Sequence, residues 1–343
     1  MRKKINKTIY LHIGRHKTGT SSIQNFINAY PEVLGKYSLY YPETGRQGIA
    51  HHNFANAFSY SATRTDREKQ IAVESEMVSA LRREIDEQDS DILVSSEAFQ
   101  NANPKLVAEV FSGYKIKTLV YIRNQIDYLA SAYAQKVWAT DYSDSIEQYY
   151  EHNFRGNYDT FLSSWDEVSD AGISVSVFSR KELFHSDIVA DFFKRMLEID
   201  DKNLINKILT RSIEDSNPSL TCELLAYKLA FNSHKYNVRE KMRKKFMGVL
   251  GQLSLRKDGT PVRVSERMAE SCRSLYKEVN ESVSEKYFQG KMSMNMNPRT
   301  GENIELGYDL ASKITADLIS VDQTLEIILK TFMDDEFPME HVA

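Results

Sequence analysis

The chain has only two cysteines, two tryptophans and seven prolines in 343 residues. Cys222 and Cys272 stand 50 residues apart in no paired motif, which excludes a disulfide scaffold and a cysteine-built zinc site. Two buried free thiols are the expectation. No apolar run approaches the roughly 18 residues that span a bilayer. The basic start (MRKKINK) could suggest a targeting signal, but the apolar run after it, residues 9–13, is short and broken by His12. A cytoplasmic location without a transmembrane segment is therefore predicted. Charge of one sign is also lacking. The formal net charge is −4, which argues against a general nucleic-acid binder.

What remains is ordinary globular composition, 41% hydrophobic and 27% charged. The length suits one large domain or one with an appended subdomain. Residues 8–13 form an apolar, β-branched run ending at Gly14 and read as a buried strand. Residues 21–30 carry Ile23, Phe26 and Ile27 at helical spacing up to Pro31. Further strands are predicted at 38–41, 91–95, 117–122 and 173–178, and further helices at 53–60, 104–111, 126–137 and 187–197. Residues 64–88 read as a long surface helix through Ile71, Val73, Met77, Leu81 and Ile85. Strands alternating with helices predict an α/β fold, a mostly parallel central sheet flanked by helices. Beyond residue 200 only helices are expected. The organisation predicted is an α/β core over 1–200 and a helical C-terminal portion over 201–343 packed on it.

The first strand runs into Gly14-Arg-His-Lys-Thr-Gly-Thr-Ser-Ser22, and a helix follows. Glycines let backbone amides and a helix N-terminus close on an anion. Gly14 and Gly19 keep the spacing of the nucleotide-triphosphatase loop G-x-x-x-x-G-K-[ST], but Thr20 follows the second glycine and the lysine stands earlier, at Lys17. A Gly-Thr-Ser turn at an ordinary strand–helix junction would carry some of the same residues. A second constellation lies at 119–133: Arg123 ends a strand and Ser131 sits in the helix after it. Arginine offers a forked charged donor to phosphate and serine a neutral hydroxyl. Both constellations stand at the C-terminal ends of predicted strands, where open α/β sheets bind ligands.

Residues 16–22 after a strand, with the arginine–x₇–serine pattern of Arg123 and Ser131, resemble the sulfotransferases that use 3′-phosphoadenosine 5′-phosphosulfate (PAPS), especially the bacterial and carbohydrate branch. The resemblance implies a P-loop-like sulfotransferase fold, with PAPS bound by the 1–200 core and the 201–343 portion contributing to the acceptor site. It also implies transfer of a sulfuryl group from PAPS to an acceptor hydroxyl, favoured on a carbohydrate or glycolipid, with 3′,5′-ADP as product. Arg15, His16, Lys17, Thr18, Gly19, Thr20, Ser21 and Ser22 would cradle the 5′-phosphosulfate, Lys17 would stabilise the bridging oxygen, and Arg123 and Ser131 would hold the 3′-phosphate. A sulfuryl group carries a single negative charge, so no metal is required. The likeness is strongest over 8–60 and 91–200.

The base that takes the acceptor's proton must come from a side chain within hydrogen-bond reach. Glu97, just beyond the strand at 91–95, is the first candidate, although a carboxylate there could instead orient a basic neighbour. His52 and His51 are the others, as base or as acceptor-binding groups. His12, His152, His185, His234 and His341 are scattered and show no zinc-ligand spacing. The run 235–246 is strongly basic and reads as a solvated helix face or as a rim for an anionic glycan or membrane surface. Arg256 or Lys257, ahead of Gly259, resemble in part a family loop that closes over the 3′-phosphate, with Asp258 as an insertion. The partner is an acceptor small molecule or glycan, without nucleic acid and with peripheral membrane contact open; oligomeric state is unspecified. Two other readings remain: a nucleotide kinase or ATPase with a degenerate loop, and a non-catalytic nucleotide-binding module of the same fold.

Overall fold

A computed structural model describes residues 7–60, 73–211, 219–236, 240–256 and 259–338. Five strands form one sheet: β1 (Thr8–His12), β2 (Leu39–Tyr40), β3 (Asp91–Ser95), β4 (Lys115–Ile122) and β5 (Ile173–Val177). Their order is β2-β3-β1-β4-β5, and every pairing is parallel. Parallel strands need crossover connections, which is why helices separate them along the chain. The chain passes from β1 towards one edge and then returns to place β4 on the other side, so β1 lies at the switch in direction. That is where the C-terminal ends of strands open a crevice.

Alternation along the strands builds a core on each face of the sheet. Ile9, Leu11, Ile92, Val94, Ile116, Val120 and Ile122 join Phe54, Phe99 and Trp165 in one core. Leu93, Leu119 and Tyr121 join Ile23, Phe26, Phe192 and Phe193 in the other. Each such side chain taken fully from water contributes about 1.5–3 kcal/mol. The predicted strands and the two-faced sheet are therefore present.

The chain divides into two compact units that are discontinuous in sequence. The first comprises 1–123, 157–215 and 277–294 and holds the sheet with both of its cores. The second comprises 124–156, 216–276 and 295–343. It is helical in its described residues, built on Gln125–Ala139, Cys222–Ser233, Glu240–Ser254, Tyr308–Val321 and Glu326–Glu336. A linear boundary at 200 does not follow this division, because residues 124–156 group with the later helices and 277–294 with the sheet.

Local differences from expectation have local causes. Pro31 does not merely end helix α1 (Thr20–Ala29); it opens a new helix, Pro31–Lys36, as its first residue. The long helix expected at 64–88 appears as Glu76–Asp86, begun by Ser75, whose Oγ accepts the Val78 amide. Ile71 and its neighbours at 61–72 lie outside the described residues. Among the described residues no helix is long and apolar enough to cross a membrane.

Candidate functional site

The loop between β1 and α1 starts at the centre of the sheet, where the Ile13 amide donates to the Leu119 carbonyl of β4 at 3.0 Å. Gly14 has φ +62°, and a Cβ there would stand 2.8 Å from both Cα and Cβ of Glu97. The glycine is required by conformation and by crowding alike. Substituting alanine costs about 1–2 kcal/mol for the left-handed backbone alone, and the clash adds to it. Gly14→Ala is expected to lower the midpoint of calorimetric thermal unfolding by several degrees; an unchanged midpoint would show that the loop is not packed this way.

Lys17 also adopts a left-handed backbone, φ +64°, without being glycine. Such strain is held in place by its surroundings. Thr18 Oγ1 accepts the Arg15 amide at 3.2 Å and donates to the Arg15 carbonyl at 2.7 Å, while Thr20 Oγ1 donates to the same carbonyl at 3.3 Å. Gly19, φ +81°, packs so closely that a Cβ would meet Ile188 and Phe178 at 2.9 Å. It is also the N-cap of α1 and supplies no side-chain cap. Amide donors are thus left at that helix start, where partial positive charge gathers.

Arg123 follows β4 directly. Its Nη1 donates to the Lys17 carbonyl at 3.3 Å, its guanidinium carbon lies 5.8 Å from the centre of the Phe178 ring, and its own carbonyl accepts the Tyr158 hydroxyl at 2.5 Å. Arg123 is thereby fixed against the loop that carries Lys17. Burial first, and then the like charge of Arg123, lower the pKa of Lys17. An anion delivered to this place would relieve both penalties.

The carboxylate side of the site is built by β3. Ser96 caps the short 3₁₀ turn Glu97–Asn101 by accepting the Ala98 amide at 3.1 Å, and this places Glu97 against Gly14. Glu97 Oε2 accepts from Gln24 Nε2 at 3.3 Å, and Gln24 also donates to Ser95 Oγ at 3.1 Å. His52 Nδ1 lies 2.8 Å from Ser96 Oγ, and its Nε2 is 3.8 Å from Glu97 Oε1. His16, the next ring along, has its pKa lowered by burial first, with Glu97 acting in the opposite direction. Its amide donates to Gln100 Oε1 at 3.5 Å. Lys17, Arg123, His16, Glu97 and His52 thus belong to one neighbourhood of the first unit.

Other candidates are placed differently. His51 is wholly buried and neutral: burial pushes its pKa down to about 4. Its Nδ1 accepts the Ser95 amide at 3.2 Å and its Nε2 donates to the Pro42 carbonyl at 2.9 Å. Both ring nitrogens are committed to holding the backbone, so His51 is a brace and not a free base. Arg15, expected on the phosphosulfate, is 3% exposed, and its guanidinium lies over the rings of Phe161 (4.7 Å) and Tyr158 (5.2 Å). Its side chain anchors the loop to helix Tyr158–Asp166. The hydroxyls of Thr18 and Thr20 are likewise committed, both donating to the Arg15 carbonyl. Ser22 is buried in the first turn of α1, beyond Ser21.

Ser131 lies in the second unit, in the second turn of helix Gln125–Ala139, which Asn124 caps through the Asp127 amide. Its Oγ is buried with no hydrogen-bond partner among the described residues. A buried unsatisfied hydroxyl is costly and is a sign of a missing partner. Arg256 faces Asp317 at 3.6 Å, and Lys257 and Asp258 lie outside the described residues. In the basic run, Arg243, Lys244 and Lys245 face Asp141, Glu240 and Asp322, while 237–239 are outside the described residues. His341 lies outside them too.

Reasoning from sequence missed Gln24, Tyr158, Phe161 and Phe178. Gln24 stands one turn into α1 and had a positional signal; the aromatic residues come from distant segments and had none.

No protein-family model matches this chain, and no curated protein matches it. Among solved structures, a chain from the molecular and structural characterization of the PezAT chromosomal toxin-antitoxin system of Streptococcus pneumoniae aligns with 60% of this chain and 84% of its own length. Identity is 13% and the TM-score 0.28, too low to carry an argument about fold or function.

Proposed function

We propose that the chain is a PAPS-dependent sulfotransferase with a P-loop-like core. The observation that carries this reading is the displaced lysine. Lys17 stands inside the loop, in a left-handed backbone tied to Arg123 through its carbonyl, with Glu97 against the loop's first glycine. A cation at that position suits the oxygen that bridges phosphorus and sulfur, and the amides after it suit the 5′-phosphate. Arg123 suits the 3′-phosphate. Ser131, in the second unit, keeps a buried hydroxyl with no partner among the described residues, a neutral donor of the kind the resemblance assigns to phosphate.

In the reaction proposed, an acceptor oxygen forms a bond to sulfur as the bond from sulfur to the bridging oxygen breaks. The acceptor's proton passes to Glu97, or to His52 beside it, and 3′,5′-ADP leaves with the negative charge that Lys17 stabilises. A carbohydrate or glycolipid hydroxyl as acceptor is part of the same proposal and rests on the resemblance of 16–22 and 123–131.

Calorimetric titration with 3′,5′-ADP in EDTA, beside Mg·ATP, tests the donor site. Expected is metal-independent binding of 3′,5′-ADP that is lost in Arg123→Ala. Binding of Mg·ATP alone would replace this reading by a nucleotide kinase or ATPase. Binding of 3′,5′-ADP with no PAPS consumed across an acceptor panel would leave a non-catalytic module.

A further inference from the structure

The second unit holds a partly open cavity of about 270 Å³ between helices Cys222–Ser233 and Glu240–Ser254. Phe231, Tyr236 and Phe246 give it apolar walls. Its charged lining is Lys228, Lys235 and Arg243 against a single carboxylate, Asp141. Arg243 takes that carboxylate at 3.1 Å, so neither lysine has a carboxylate of its own in the lining.

Lys228 is the unusual member. It is 2% exposed; its ammonium donates to two neutral oxygens, the Thr140 carbonyl at 3.3 Å and Oδ1 of Asn232, and lies 5.7 Å from the centre of the Phe246 ring. Among the described residues it makes no ion pair. Burial of a charge on these terms is costly, and burial pushes its pKa down to about 8. Asn232, 4% exposed, donates to the carbonyls of Val137, Thr140 and Tyr142 around the end of helix Gln125–Ala139. Lys228 and Asn232 therefore close a helix C-terminus, which accounts for two of the three ammonium donors. Capping needs no open space beside it and no further cations, so the cavity and its positive lining are left over.

We propose that this cavity binds a small amphipathic organic anion, with its acid group on the Lys228 ammonium and a ring or short alkyl body packed on Phe231 and Phe246. A desolvated ammonium gains most from a directly bonded anion, and the aromatic walls reward an apolar body. The volume falls just below the range that holds drug-sized ligands, so a single-ring acid fits and a nucleotide does not. The site uses none of the residues of the Gly14–Ser22 loop and stands or falls independently of sulfuryl transfer.

Calorimetry on the full chain with benzoate tests it, with benzyl alcohol as the uncharged body and inorganic sulfate as the bare anion. Benzoate is expected to bind at least about tenfold more tightly than either, since loss of one charge-assisted contact is worth that factor. Lys228→Met, which keeps the apolar stem, is expected to weaken benzoate at least tenfold. Lys228 also braces a helix end, so Arg243→Gln, at a half-exposed rim position, decides the matter if that variant does not fold; a loss of about threefold is expected there. No heat at millimolar benzoate, equal binding of the alcohol, or unchanged affinity in the folded variants would overturn the proposal.

Discussion

Replacing Lys17 by alanine is expected to lower kcat for sulfuryl transfer about 100-fold or more, the scale on which one preorganised charge donor acts in a water-poor site. The ammonium contributes most where charge develops on the leaving bridging oxygen, so kcat should fall much further than affinity for PAPS, in which that oxygen still bridges to sulfur. Misfolding is a poor alternative explanation. Alanine and lysine share the same Cβ and meet the same left-handed backbone, φ +64°. The unliganded protein should in fact not be destabilised. A lysine whose pKa falls on folding costs stability while it is charged in both states; that cost is present at neutral pH and is relieved as pH rises through the folded-state pKa. Lys17→Ala removes it. The unfolding midpoint without ligand should therefore hold or rise while turnover collapses, and near-normal turnover in a folded variant would remove Lys17 from the mechanism.

The parts of this site legible in the sequence were those written in contiguous residues. The strand at 8–12, the two glycines with the lysine between them, and the arginine at the end of β4 are local patterns, and the parallel order follows from alternation of strands and helices. The parts that were illegible depend on which distant side chain arrives. Arg15 sits in the phosphate loop by sequence, yet its guanidinium lies over Tyr158 and Phe161, more than a hundred residues on. His51 and His52 are indistinguishable as letters. One meets an amide and a carbonyl and is consumed by them; the other meets a serine hydroxyl and faces a carboxylate. The division into two units was also hidden, because residues 124–156 continue an α/β pattern in sequence while they group with the later helices.

Glu97→Gln is the second large effect. Glu97 packs against the loop itself: its Cα and Cβ stand 2.8 Å from where a Cβ on Gly14 would be, and Gln24 steadies one carboxylate oxygen. Glutamine keeps the size and the packing against Gly14 but cannot accept the acceptor's proton. The expected loss in kcat is on the order of 10²–10⁴-fold, with the unfolding midpoint and the affinity for 3′,5′-ADP unchanged. His52→Gln should cost less, because its imidazole stands behind the carboxylate, 3.8 Å from Oε1, with its other nitrogen on Ser96. The reverse ranking, with His52→Gln inactive and Glu97→Gln near normal, would make the imidazole the base and Glu97 its orienting partner. The two variants also separate chemistry from donor binding, since neither side chain belongs to the loop amides and Arg123 proposed to hold the nucleotide.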